Sequence, residues 1–160
     1  MNTGIFLLLG TNIGDRRKNL DTAIQAINSH VGKVKRQSAI YQTEAWGKTD
    51  QPSFYNQVLE TETSLDPSAL LVEILSIEKK MGRQRKEKWG ERIIDIDILF
   101  FGPTIINRND LIIPHPQLAN RRFTLVPLSD LIPDFNHPVL QKTIRELLME
   151  CVDGLEVKLV

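Results

Sequence analysis

A chain of 160 residues is close to the commonest size of one domain and can bury a core without disulfides or a structural metal. Its 41% hydrophobic and 25% charged content is ordinary for a globular protein and argues against wholesale disorder. A formal net charge of +0 gives no overall attraction for nucleic acid or an anionic membrane, and the single cysteine, Cys151, forms no internal disulfide and reads as a small buried hydrophobe.

The apolar run at 5–9 is too short for a signal-peptide core or a membrane span, and no basic stretch precedes it. It reads as a buried strand of a cytoplasmic protein. The turn Gly10-Thr11-Asn12-Ile13-Gly14 ends it. Asp15 then caps a helix to about His30, with Leu20, Ala23, Ile24 and Ile27 on one face, and Gly32 stops that helix. Residues 34–41 read as a second strand, 43–52 as a loop, and 54–63 as a third strand. Asp66-Pro67 is an N-cap with proline at the first helical position, and the helix runs through Leu70, Leu71, Ile74, Leu75 and Glu78 to near Gly82. Residues 83–92 form a polar loop carrying Arg83, Arg85, Lys86, Lys88 and Arg92. A fourth strand spans 93–101 and is closed by Gly102-Pro103. Short strands follow near 105–106 and 111–113, then short helices near 125–131 and 144–151, and an edge strand in 155–160.

There is no repeat, low-complexity tract or long linker, so 1–160 reads as a single domain. The opening order is strand, helix, strand, strand, helix, strand. It suits an α+β, ferredoxin-like sandwich: a mainly antiparallel sheet with helices packed on one face.

The sharpest feature is Arg92-Ile93-Ile94-Asp95-Ile96-Asp97-Ile98-Leu99. Residues two apart in a strand share a side, so Asp95 and Asp97 project together while Ile94, Ile96 and Ile98 project oppositely. Two carboxylates so placed repel unless a cation sits with them, and Mg²⁺ favours a few carboxylate oxygens plus water and phosphates. Taken alone, the pair is equally well a solvated acidic face. The basic loop before it changes the balance, because carboxylates for a metal beside arginines for phosphate oxygens are what ATP needs. Trp89 in that loop has no apolar stripe to join, and reads either as part of a lid or as a loop anchor. There is no G-x-x-x-x-G-K-[ST] loop and no G-x-G-x-x-G. His115 is held between Pro114 and Pro116; on its own it is a turn residue. Phe54, Asn56 and Phe123 are residue types that sandwich and read a flat heterocycle, although core packing explains any one Phe.

Together these pieces resemble 6-hydroxymethyl-7,8-dihydropterin pyrophosphokinase, an enzyme family of folate biosynthesis. The resemblance lies in the 90–99 segment, Gly10-Thr11-Asn12, Tyr41-Gln42-Thr43-Glu44, Asp50-Gln51-Pro52 through Asn56, Glu78 through Arg83, Arg85 through Gly90, Pro114-His115-Pro116 and Arg121-Arg122-Phe123, over about 5–127. It implies a transfer of pyrophosphate from ATP to the pterin hydroxymethyl group, with AMP leaving. It further implies two Mg²⁺ ions on Asp95 and Asp97, and Arg83 and Arg92 on the phosphates. Arg85 and Trp89 would belong to a closing loop. His115, Arg121, Ile98 and the backbone near Ile112 would contact the nucleotide. Thr43, Trp46, Phe54, Asn56 and Phe123 would hold the pterin. The chain departs from the family's usual pattern at Thr11, Ala45, Phe54 and Pro116; none of these removes the metal site. Two rival readings remain at this level: a ferredoxin-like nucleic-acid-binding module, and a related Mg-dependent phosphoryl or nucleotidyl transferase. The module would need exposed aromatics and a basic sheet face, where this sequence offers Asp95 and Asp97.

Overall fold

The opening strand is apolar at every position from Ile5 to Leu9 because both of its faces are covered. In the computed structural model, which describes residues 1–44, 51–82 and 93–160, this strand is β1 (Asn2–Thr11) at the centre of the sheet. It pairs antiparallel with β4 (Phe54–Thr63) on one side and β5 (Asp95–Phe101) on the other. Next to β4 lie β2 (Val34–Gln37) and β3 (Tyr41–Thr43), and β8 (Lys158–Leu159) adds to the far edge of β3. The strand order β5-β1-β4-β3-β8, with every pairing antiparallel, is the expected ferredoxin-like α+β arrangement with one strand added at the edge. A separate hairpin joins β6 (Ile106–Asn107) to β7 (Ile112–Ile113).

The expected strand over 34–41 is divided into two. The break falls at Ser38, whose hydroxyl accepts the Val58 N–H at 2.9 Å, where a regular ladder would use a backbone carbonyl. Gly10 also differs from expectation: it belongs to β1 and not to the turn that follows.

Helices α1 (Arg16–His30) and α2 (Pro67–Lys80) begin where their caps say they should. Asp15 accepts from Lys18 N, and Asp66 accepts from Ala69 N with proline in the first turn. Gly82, at φ +86, follows the end of α2 in the left-handed region. These two helices cover one sheet face. Leu20, Ala23, Ile24 and Ile27 of α1, with Leu70, Ile74 and Ile77 of α2, pack on Ile5, Leu7, Leu9, Leu59, Ile96 and Ile98.

A second pair of helices covers the other face, where the sequence pattern placed helices on one face only. These are α3 (Arg122–Leu131), which starts three residues before its apolar stripe, and α4 (Ile144–Glu150), which opens on a Thr143–Glu146 capping box. Leu125, Leu128, Ile144 and Leu147 meet Phe6, Leu8, Val58, Leu99 and Phe100 there, with Phe100 edge-on to Phe135 at 4.8 Å. Cys151 packs against this second core but is only half-buried. No helix of the described residues is long and apolar enough to cross a membrane.

Candidate active site

Strand β5 carries the acidic pair. A bulge at Leu99, between the Phe6–Phe100 and Leu7–Ile98 pairs, lets Leu99 and Phe100 both enter the second core. Before the bulge the strand alternates: Ile94, Ile96 and Ile98 are buried in the α1/α2 core, while Asp95 and Asp97 are half-exposed on the opposite side. Asp97 lies across from Leu8, and Asp95 across from Gly10. The strand is anchored between its two aspartates. The buried Glu78 carboxylate, from the last turn of α2, accepts the Ile96 N–H at 2.8 Å. In the sequence Glu78 reads as one more position of the helix stripe. Its anchoring role depends on where α2 ends relative to β5.

His115 and Arg121 come to the same place. The His115 N–H donates to the Leu99 carbonyl at 3.1 Å, which fixes this segment on β5. Nδ1 of His115 accepts the Gln117 N–H at 3.1 Å, so in the neutral ring the proton sits on Nε2, and Nε2 faces Asp97 Oδ2 at 3.9 Å. Burial pushes the His115 pKa below its usual value; Asp97 works against that shift and the Arg121 charge adds to it. Arg121 is likewise lowered by burial, with Asp97 and Asp153 favouring its charged form. Its guanidinium lies 5.5 Å from the Phe123 ring centroid, at the start of α3.

One row runs across four strands on this face: Tyr41, Asn56, Gly10 and Asp95 stand side by side. The glycine lets neighbouring side chains close in over the strand. A Cβ at Gly10 would come within 3.0 Å of Asn56 Oδ1 and 3.6 Å of the Phe54 ring. The Asn56 amide is oriented by Thr43, whose hydroxyl accepts its Nδ2–H at 2.9 Å. Tyr41 donates from its hydroxyl to Asp130 at 2.8 Å, and burial together with that carboxylate pushes its pKa up to about 12. Where the chain enters β4, Asn12 donates to Gln51 Oε1 at 2.9 Å and to the Pro52 carbonyl at 3.0 Å. Arg16 donates to Ser53 and stacks over the Tyr55 ring at 3.9 Å.

An amide, two carboxylates, an imidazole and a guanidinium gathered on one side of the sheet suit a polar heterocycle next to a metal-bound phosphate chain. The family model described as 7,8-dihydro-6-hydroxymethylpterin-pyrophosphokinase matches residues 6–133. The chain belongs to this family. Among curated relatives, the 2-amino-4-hydroxy-6-hydroxymethyldihydropteridine pyrophosphokinase of Aquifex aeolicus is 38% identical over 146 residues, 91% of each chain. The folic acid synthesis protein fol1 of Pneumocystis carinii is 41% identical over 152 residues; the match takes in 95% of this chain and 20% of that protein. Among solved structures, a Plasmodium falciparum HPPK-DHPS chain shares the fold with a TM-score of 0.75 at 24% identity, matching 94% of this chain and 43% of that one.

Of the residues expected for a pyrophosphokinase, Thr43, Phe54, Asn56, Asp95, Asp97, His115, Arg121 and Phe123 belong to the α3/α4 side of the sheet or its rim. The Ile98 side chain is buried on the opposite face, in one cluster with Leu111 and Ile113, the segment grouped with it in the expected nucleotide site. Ile112 is 42% exposed on β7, beside that edge. Trp46, Arg83, Arg85, Trp89 and Arg92 lie outside the described residues. Among the described residues no cluster of three or more His, Cys, Asp or Glu could hold a metal. The two-carboxylate set of Asp95 and Asp97 fits Mg²⁺, which takes its remaining ligands from water and phosphate.

In the sequence Gly10 reads as part of a turn and of a family motif, which does not show the close approach of Asn56 and Phe54 over it. A glycine at the end of a wholly apolar strand was the available signal, since it marks a close approach as readily as a turn.

Proposed function

We propose that this chain transfers pyrophosphate from ATP to the hydroxymethyl group of 6-hydroxymethyl-7,8-dihydropterin, as a single cytoplasmic domain. The observation that supports the reading is the row across the sheet, in which Asn56, Gly10 and Asp95 stand side by side with Asp97 one step along the same strand face. The hydroxymethyl oxygen forms a bond to the β-phosphorus, the bond from that phosphorus to the α,β-bridging oxygen breaks, and AMP leaves.

Asp95 and Asp97 hold two Mg²⁺ ions, which neutralise phosphate charge and polarise the reacting phosphorus when bound. Asn56, held by Thr43, reads the polar edge of the pterin, and Phe54 and Phe123 flank the ring. His115 keeps its Nε2–H directed toward the phosphate region beside Asp97, as a neutral donor. Arg121 adds fixed positive charge there. Arg83 and Arg92 hold phosphate oxygens, Arg85 and Trp89 close over the nucleotide, and Trp46 completes the pterin pocket. For these five the support is the family resemblance of their motifs. Catalysis then consists of positioning and charge stabilisation, which is what phosphoryl transfer requires.

The test is chromatography of the nucleotides after incubation with ATP, Mg²⁺ and 6-hydroxymethyl-7,8-dihydropterin. AMP forming one-for-one with pterin diphosphate, only with pterin and Mg²⁺ both present, is the expected result. ADP or free pyrophosphate as the first product would overturn it.

A further inference from the structure

Helix α3 starts without a cap of its own. Its N-cap residue, Arg121, makes no side-chain capping bond, and its first turn has no acidic residue. Backbone N–H groups at a helix start need acceptors, and a Ser, Thr, Asp or Asn at the cap is the local solution. Here that position is occupied by an arginine, whose charged form Asp97 favours.

The missing acceptor comes from the far end of the chain. Asp153 Oδ2 accepts the Arg122 N–H at 3.1 Å, across 31 residues of sequence. Its other oxygen, Oδ1, accepts the Leu155 N–H at 3.0 Å, so the carboxylate is fixed on its own side as well. Its charge also favours the protonated Arg121 guanidinium against the burial that opposes it. Asp153 is half-buried between two exposed residues, Val152 and Gly154, so apolar packing of its neighbours does not explain its place. Five residues on, β8 pairs with Tyr41 and Gln42, the residues just before Thr43. The C-terminal segment thus binds to both sides of the site, at the start of α3 and along β3.

We infer that Asp153 is a positioning residue for the transfer reaction: it caps α3 from a distance and thereby sets Arg121, the N-cap residue, against Phe123 at the rim of the site. The inference rests on the reading that Arg121 belongs to the site. A helix start held only by local bonds would be free to shift, and small displacements of a charged group cost transition-state stabilisation heavily.

The experiment is a mutant cycle in the full chain, with Asp153→Ala, Arg121→Ala and the double variant assayed for kcat/KM well below the unfolding temperature. Asp153→Asn is included as a milder variant that keeps one acceptor and its shape. Asp153→Ala should lower kcat/KM by about tenfold or more, as expected for a misplaced charged group. In the Arg121→Ala background the same substitution should cost less than about threefold, because coupled sites are not additive. If Asp153→Ala does not fold, the cycle is read with Asp153→Asn, with a smaller loss expected in the same pattern. Full multiplication of the two effects would overturn the inference, since a cap that merely stabilises the fold acts equally in both backgrounds. An impaired Arg121→Ala with Asp153 variants near the parent would also overturn it and leave the site reading standing. A neutral Arg121→Ala would remove the site reading for Arg121, and the inference with it.

Discussion

The two faces of the sheet are built from the same strands and end differently. On one face, α1 and α2 cover β1, β4 and β5 along their length, from Ile5 to Leu9 and from Ile94 to Ile98. On the other, α3 and α4 cover only the Phe6, Leu8, Val58 and Phe100 end. Beyond Leu8 that second core gives way to Gly10, Asn56, Asp95 and Asp97. The difference shows where chemistry can sit in a small sandwich. A carboxylate under a close-packed apolar layer carries a large desolvation cost, which Glu78 meets with the Ile96 N–H, and the Asp95 and Asp97 pair lies where the layer stops. The alternation of β5 serves both ends at once, with isoleucines closing one face and aspartates serving the other.

The sharpest way to test this contrast is to remove function from one face and stability from the other. Asp95→Ala and Asp97→Ala should each lower turnover by about 10²–10³-fold or more, the scale of losing a group that stabilises transition-state charge. Thermal unfolding without Mg²⁺ should change far less than turnover, because both side chains are half-exposed at the rim of the core. Steady-state kinetics alongside a melting curve checks both; a variant with near-normal turnover would end the metal assignment.

Leu7→Ala, on the closed face, should do the reverse. Leu7 is fully buried, so the substitution should cost ~2–5 kcal/mol of stability, read by denaturant unfolding. KM values for the protein that remains folded should stay close to the parent's. Gly10→Ala sharpens the comparison at the boundary. The added methyl would point at Asn56 and Phe54, so KM for the pterin should rise by about tenfold or more, the scale on which a pocket discriminates one extra carbon. KM for ATP should change much less.

The smallest effect concerns acid. His137 is buried on the second face, edge-on to Phe100, and its Nδ1 accepts the N–H groups of Val139 and Leu140. Burial lowers its pKa from the usual 6.5. The unfolded chain therefore takes up this proton first as pH falls, and the contribution of neutral His137 to stability, complete above about 6.5, is lost below it. Melting temperatures followed from about pH 7.5 to 5.5 should fall more steeply for the parent than for His137→Asn, in which an amide oxygen can replace the acceptor. Parallel curves would show that His137 does not contribute.

Much of this molecule is local and was therefore legible in the sequence. The caps at Asp15 and Asp66, the helical stripes of α1 and α2, the bounds of β4 and the alternation in β5 each depend on residues a few positions apart. The Asp95–Asp97 pair was visible for the same reason, since a period of two is a property of the strand itself. The break at Ser38 was not legible, because it depends on which strand lies alongside. The use of both sheet faces was not legible either, because an amphipathic helix records that it has an apolar side and not which surface it meets.

Most of the site's detail belongs to this second kind. Gly10 is a point of close approach only because Asn56 and Phe54 arrive over it, and Glu78 is an anchor only because Ile96 presents an N–H to it. Asp153 is a cap only because the segment before β8 returns to the start of α3. By itself the sequence determined the elements, their order and the residue types available for chemistry. Tertiary structure alone decided which of those residues meet, because that depends on strand register and long-range closure between segments far apart in the chain.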